Sequence, residues 1–360
     1  MTSARQILSS GPYGDSKTIT EDASSFMGLV DDLLHDATGI RLPDTDEGPP
    51  LAQRSIRRGL IKDAYRALTI RKDVSEARLI MTAGLRIADG TTPRNEVVVP
   101  GFRYVLAGDW ADDAAGRAVQ DRISKDLSPH TCSYVAAAEG EARQMADGIS
   151  LLMNSVGDLG ASVLDTVSGA VLVTDCPIDS AFLMPVPCAS IINTRLLADP
   201  VALADAVFHE SCHQKLYDIL LCRRVVNEGY GFLDGVLFDV PWRPIGGKKR
   251  QMDCLRILST LHVYAHLLEF LLSMEGDMEG GSMSLESRLE EYWRRASFFL
   301  ELSRTATLRN GLGSDAGDMA DWLDSAMVQH RASFMDREFY ADSFYRDEAL
   351  RQVAAVSASF

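Results

Sequence analysis

The chain has 360 residues, with 36 Lys+Arg against 51 Asp+Glu and a net charge of −15. At roughly 100–200 residues per domain this is one large or two ordinary domains, and 46% hydrophobic residues supply enough core to exclude global disorder. The acidic balance argues against a nucleic-acid binder, which needs a basic footprint to displace counterions, and against adsorption to anionic membranes.

Residues 1–20 are polar and rich in Ser, Thr and Gly, and read as a loose leader. A helical pattern starts near Glu21, with Phe26, Val30, Leu33 and Leu34 on one face. The run 42–50 (LPDTDEGPP) is a breaker and reads as a loop. Two helices follow, at about 56–68 and 76–87. Residues 96–99 and 102–106 are β-branched and aromatic and suggest a hairpin about Pro100-Gly101. Ala-rich helices are expected at 110–126 and 134–155. From about 160 the texture changes: 170–174, 181–184 and 190–194 are short apolar runs, read as strands of a small sheet. Beyond Asp199 the chain reads as helical apart from a Gly/Pro loop at 227–247. The expected fold is mainly α with a small β-sheet (α+β), divided into a helical region at 1–155 and a region holding the chemistry at 156–360.

The six cysteines, Cys132, Cys176, Cys188, Cys212, Cys222 and Cys254, include no CxxC pair. Free thiols in a reducing cytoplasm are the expectation. Residues 1–10 lack an apolar run next to a basic segment, so no secretory signal is expected, and no run of about 18 uninterrupted apolar residues suggests a membrane span.

Four of the seven histidines fall between 209 and 266. Asp199-Pro200 is a strong helix start, because Asp caps free N–H groups and Pro needs none at the first helical position. The helix that follows carries His209-Glu210-Ser211-Cys212-His213. Imidazoles at i and i+4 sit one turn apart on one face and can converge on a metal ion, with Glu210 displaced by about 100° toward a bound water. The plainer alternative is a pair of core histidines. His262 and His266 repeat the i, i+4 spacing in a helical run at 248–274. One of them can close a three-histidine face, which would put the metal site between two long helices; the alternative is two ordinary helix residues. His330, in a helical stretch at 319–334, is a more distant candidate.

A zinc peptidase of the gluzincin type takes a later Glu as third ligand, and Glu228 and Glu269 are the candidates. A metzincin needs HExxHxxGxxH, whereas His213 is followed by Gln214-Lys215-Leu216-Tyr217-Asp218-Ile219, which excludes that class. Between the histidine pairs lies Val240-Pro241-Trp242-Arg243-Pro244. An Arg fixed beside a metal suits bidentate capture of a carboxylate; the alternative is a surface loop with Trp242 plugging a core.

FHESCHQKL, VPWRP and HVYAHLLEF, in that order, resemble the HExxH proteins encoded beside ribosomally made, modified peptides, the α-ketoglutarate-dependent HExxH peptide β-hydroxylases. The resemblance covers about 195–270. It implies a non-haem Fe(II) oxygenase using α-ketoglutarate and O2 on a peptide, a precursor peptide among the options, or on an amino-acid-derived substrate; the acidic charge, separately, leaves neither nucleic acid nor membrane as an expected partner. By the same resemblance His209 and His213 are metal ligands, His266 is the third and His262 the runner-up. Arg243, with Lys215 second, holds the distal carboxylate of α-ketoglutarate, and Glu210 orients a water or a histidine. Two other readings stay open: a Zn peptidase with Glu210 as general base, and a binding or scaffold protein with a degenerate site.

Overall fold

The computed structural model describes residues 2–43, 51–89, 96–227, 230, 235–245, 248–274, 285–337 and 344–357, with the side chains of 89, 243–245, 248–249, 307, 344, 356 and 357 excepted. The fold is mainly α with small sheets: 67% of the chain is helical and 10% is strand. The chain divides into two units, one of residues 16–154 and 160–221, the other of residues 1–15, 155–159 and 222–360. This differs from a boundary near 156, and the reason lies in the sheet of the first unit.

That sheet has six strands: β1 (Glu96–Val98), β2 (Val105–Ala107), β3 (Ser133–Val135), β4 (Gly169–Thr174), β5 (Ser180–Phe182) and β6 (Ala189–Asn193). The order is β1-β2-β4-β6-β5, with β4 parallel to both β2 and β6, and β5 antiparallel to β6 at the edge. β2 pairs with 169–170 and β3 with 172–174, so these two strands share one edge of β4 end to end. Strands from both sides of residue 156 are therefore hydrogen-bonded together, and no cut can fall there. The expected hairpin at 96–106 forms, with Gly101 at φ +84° in its turn. Strand β3 lies where the start of a helix was expected.

β4 and β6 are buried along nearly their whole length, as central strands covered on both faces are. Their side chains alternate between two cores. Val171, Val173 and Ile191 face α3 (Ser16–Thr38), α4 (Leu51–Thr69), α5 (Val74–Asp89) and α6 (Ala114–Leu127). Ala170, Leu172 and Ile192 face α7 (Glu139–Val156) and α9 (Pro200–Cys222), through Met145, Ile149, Leu203, Ala206 and Val207. Period-two alternation thus makes one sheet the floor for two helical layers, with α8 (Asp158–Leu164) leading back into β4. The sheet positions α9, the helix of the HExxH motif. Asp199 Oδ1 caps it as expected, accepting from the N–H groups of Val201 and Ala202 at 3.0 and 3.1 Å.

In the other unit the expected leader is instead structured. α1 (Ala4–Leu8) starts with a capping box of Ser3 and Gln6 and buries Ala4 and Leu8, and α2 (Gly11–Gly14) follows. The expected loop at 227–247 and the first residues of the expected helix at 248–274 contain a second sheet, β7 (Phe238–Ile245) paired with β8 (Lys248–Met252). α10 (Cys254–Ser273) begins only after Asp253, whose side chain caps it. α11 (Leu285–Ser303), α12 (Ala306–Asn310), α13 (Ala316–Phe334) and α14 (Phe344–Ser357) complete the unit. Trp242 on β7 packs edge-on against Phe298, Phe299 and Tyr345, the plug reading of that residue. Phe339 and Tyr340 lie outside the described residues. Among the described helices, α10 alone is long and apolar enough to cross a membrane, with mean hydropathy 1.3; 67% of that window is buried, as in a core helix.

Cys132 and Cys176 form a disulfide, which corrects the expectation of six free thiols. The β3–β4 register, with Ser133 opposite Thr174, brings the two cysteines together across 44 residues of sequence.

Candidate metal centre

Three residues of α9 come together. His209, Glu210 and His213 offer ligand atoms that all lie within 4.8 Å of one another, and the two imidazole centroids are 5.0 Å apart. Both histidines are half-buried and Glu210 is buried. Leu203, Ala206 and Val207 fix this arrangement by seating α9 on the sheet, so the motif is carried one to two turns beyond a rigid anchor.

Burial, reinforced by the neighbouring His209, pushes the His213 imidazole down to about 4. It is neutral at neutral pH, the form that donates a lone pair to a metal. Glu210 shows the opposite sign: burial raises its carboxyl, while His213, the Ser180 hydroxyl and the Phe182 N–H hold it back. Ser180 Oγ donates to Glu210 Oε1 at 2.5 Å. Two half-buried imidazoles beside a buried carboxylate on one helix are a donor set of the kind that can hold a divalent metal ion.

Further along α9 the helix is fastened through its side chains. Gln214 Oε1 accepts from the N–H of Cys188 at 2.6 Å, and Gln214 Nε2 donates to Asp218 Oδ1 at 2.9 Å. Arg58 of α4 donates to the same Asp218 oxygen at 2.9 Å and to Cys188 Sγ at 2.9 Å. Asp218 is buried, and that charge is matched by the guanidinium, the condition for a buried carboxylate to be tolerated.

The remaining sequence candidates are placed as follows. Lys215 is fully buried, and its Nζ lies 3.2 Å from Ser162 Oγ on α8. Two residues past His213 it points about 200° around the helix, so the structure does not bring it to the imidazole pair. Arg243 is in β7, and its side chain lies outside the described residues, as does Glu228. His262 and His266 are on α10 in the other unit, both fully buried, with ring centroids 4.4 Å apart. His266 Nδ1 donates to the His262 carbonyl at 2.8 Å. A carbonyl only accepts, so the Nδ1–H tautomer is set and the lone pair sits on Nε2. Glu269 forms an ion pair with Arg5 Nε at 3.0 Å, and Arg5 also donates to Ser273 Oγ and the Ser155 carbonyl. His330 Nε2 donates to the Ala265 carbonyl at 3.0 Å and its Nδ1 lies 3.8 Å from Glu269.

Ser180, which holds Glu210, and Phe182, whose ring stacks beside His213, carried no sequence signal. Ser-Ala-Phe is an unremarked tripeptide, and only the sheet register reveals which face it presents. No protein-family model and no curated protein sequence matches the chain.

Proposed function

We propose that the chain is a non-haem Fe(II)/α-ketoglutarate-dependent hydroxylase acting on an unactivated, β-type carbon of a peptide or amino-acid-derived substrate. The convergence of His209 and His213 beside a Glu210 already gripped by strand β5 supports this reading best. A buried carboxylate that accepts from a strand-borne hydroxyl is held by the scaffold, in keeping with an orienting role.

Iron(II) bound with α-ketoglutarate and O2 supplies oxidative decarboxylation to succinate and CO2 coupled to insertion of oxygen into a C–H bond. The residues of the chain do the rest. His209 and His213 would hold the ion, His213 as the neutral imidazole that its burial favours. By the resemblance His266, with His262 as the alternative, would be the third ligand. By the resemblance Arg243 would be the cation for the distal carboxylate of α-ketoglutarate, while Lys215 is directed to Ser162 on α8.

The second reading, a Zn peptidase with Glu210 as general base, draws on the raised Glu210 carboxyl, which favours accepting a proton. Of the two later carboxylates such a site could use, Glu269 is engaged by Arg5 within its own unit, and Glu228 lies outside the described residues.

The test is purified protein with Fe(II), ascorbate and α-ketoglutarate under air. Succinate formation that requires O2 and is lost in His213→Ala supports the hydroxylase. Peptide cleavage that is indifferent to α-ketoglutarate and abolished in Glu210→Gln would establish the peptidase instead.

A further inference from the structure

Strand β5 touches the motif helix along a single stripe. Ser180 Oγ donates to Glu210 Oε1. The Phe182 ring stacks beside His213, centroids 6.3 Å apart and 20° between planes, and lies 6.0 Å from Tyr217. Residues 210, 213 and 217 are spaced i, i+3, i+7 and share one helix face. Strand alternation explains why both Ser180 and Phe182 reach it. Positions i and i+2 point the same way, and the register pairs them with Ile192 and Ser190 of β6, of which Ile192 belongs to the core on the α9 side. Ala181 packs into the opposite core.

The segment that delivers Ser180 is itself fastened. Asn193 Nδ2 donates to the carbonyls of Cys176 and Ile178 at 3.0 and 2.9 Å, and the Asn193 N–H donates to the Asp179 carbonyl at 2.9 Å. Cys176 is also bonded to Cys132. A buried carboxylate is rarely held by one freely rotating hydroxyl; here the hydroxyl arrives on a strand whose approach is fixed at four points.

We propose that Ser180 is a positioning residue of the metal centre: it acts through Glu210, holding that carboxylate so that its place beside His209 and His213 is set by the sheet and not by the torsions of the Glu side chain. This rests on the metal-centre reading above and on no choice between iron and zinc. Groups that orient a metal site from outside its ligands typically contribute about 10–100-fold in metal affinity. Loss of the hydroxyl frees the carboxylate to turn toward the ion, which changes the coordination itself as well as its strength.

The experiment is titration of the metal-stripped full chain with Co(II), read by its visible d–d absorption. The wild-type chain is expected to bind one Co(II). Ser180→Ala is expected to weaken binding by at least ~10-fold and to alter the band position and intensity, and Ser180→Thr, which keeps the hydroxyl, is expected to restore both. Ser180→Cys, similar in size but a weak donor, carries the test if the alanine variant does not fold. Wild-type affinity and spectrum in Ser180→Ala or Ser180→Cys, with or without a lower unfolding midpoint, would overturn the proposal while leaving the metal centre standing. A wild-type chain that binds no Co(II) removes the metal centre and the proposal together.

Discussion

His330 has no place in the metal set, yet it makes a definite demand on the molecule. Its ring is buried, Nε2 donates to the Ala265 carbonyl, and burial pushes its pKa from 6.5 down to about 4. The unfolded chain takes up this proton near pH 6.5 while the folded chain does not. The stability it permits is complete above pH 6.5 and is lost as pH falls toward 4, by about 3 kcal/mol in full. Urea midpoints of the wild-type chain are therefore expected to fall more between pH 7.5 and 4.5 than those of His330→Gln. Glu269 nearby has a raised carboxyl and the opposite sign, so the difference between the two chains is the quantity to compare. At the motif, His209→Ala and His213→Ala are each expected to abolish bound Fe(II) in metal analysis, with far-UV circular dichroism unchanged, since both rings are only half-buried. If His266 is the third ligand, as the resemblance implies, His266→Ala also loses the metal and His262→Ala keeps it; both of these rings are fully buried, so each variant's unfolding midpoint is measured alongside.

Elements explain what those residues can do. β4 runs against β2 so closely at Gly169 that a Cβ there would meet the Val105 carbonyl oxygen at 2.1 Å. Backbone cannot yield as a flexible side chain does, so Gly169→Ala is expected to cost roughly 1–3 kcal/mol or more, seen as a lower urea midpoint. Because β4 lies next to β6, and β6 carries β5, the same change is expected to weaken Co(II) binding. Much at this scale was legible: the start of α9, the HExxH face, the 96–106 hairpin and the three apolar strands all follow from local pattern. The β7–β8 sheet was not, for a physical reason. Pro241, Pro244 and the Gly246-Gly247 pair look like breakers, and Lys248 to Met252 are good helix formers, yet pairing with β7 overrides that propensity and Asp253 starts the helix later. Ser180 was equally invisible, since its role depends on which neighbour β6 offers and which face the register turns toward α9.

At the scale of the whole molecule, the two units are built from interrupted stretches of chain, which periodicity along the sequence cannot reveal. The disulfide lies entirely in the unit that carries the motif helix, and it closes a loop across 44 residues. Closing a loop of that length in the unfolded chain is worth about 2–4 kcal/mol. Cys132→Ser with Cys176→Ser is expected to lower the unfolding free energy of that unit by this amount, measured in denaturant under oxidising conditions, and dithiothreitol should reproduce it in the wild-type chain. An unchanged midpoint would mean that the unfolded chain is already constrained there.

The first helix has a timing problem. α1 packs against α13, and Trp322 donates to the Ile7 carbonyl at 2.8 Å. A ribosome adding about 5–20 residues per second delivers α13 roughly 15–60 s after α1. During that interval the sheet unit can form, while the first fifteen residues wait without the helix they bury against. Growing chains stalled far enough past residue 221 for α9 to have left the ribosome, but before α13 at residue 316, should hold a protease-resistant sheet unit and an N-terminal segment that is still cut.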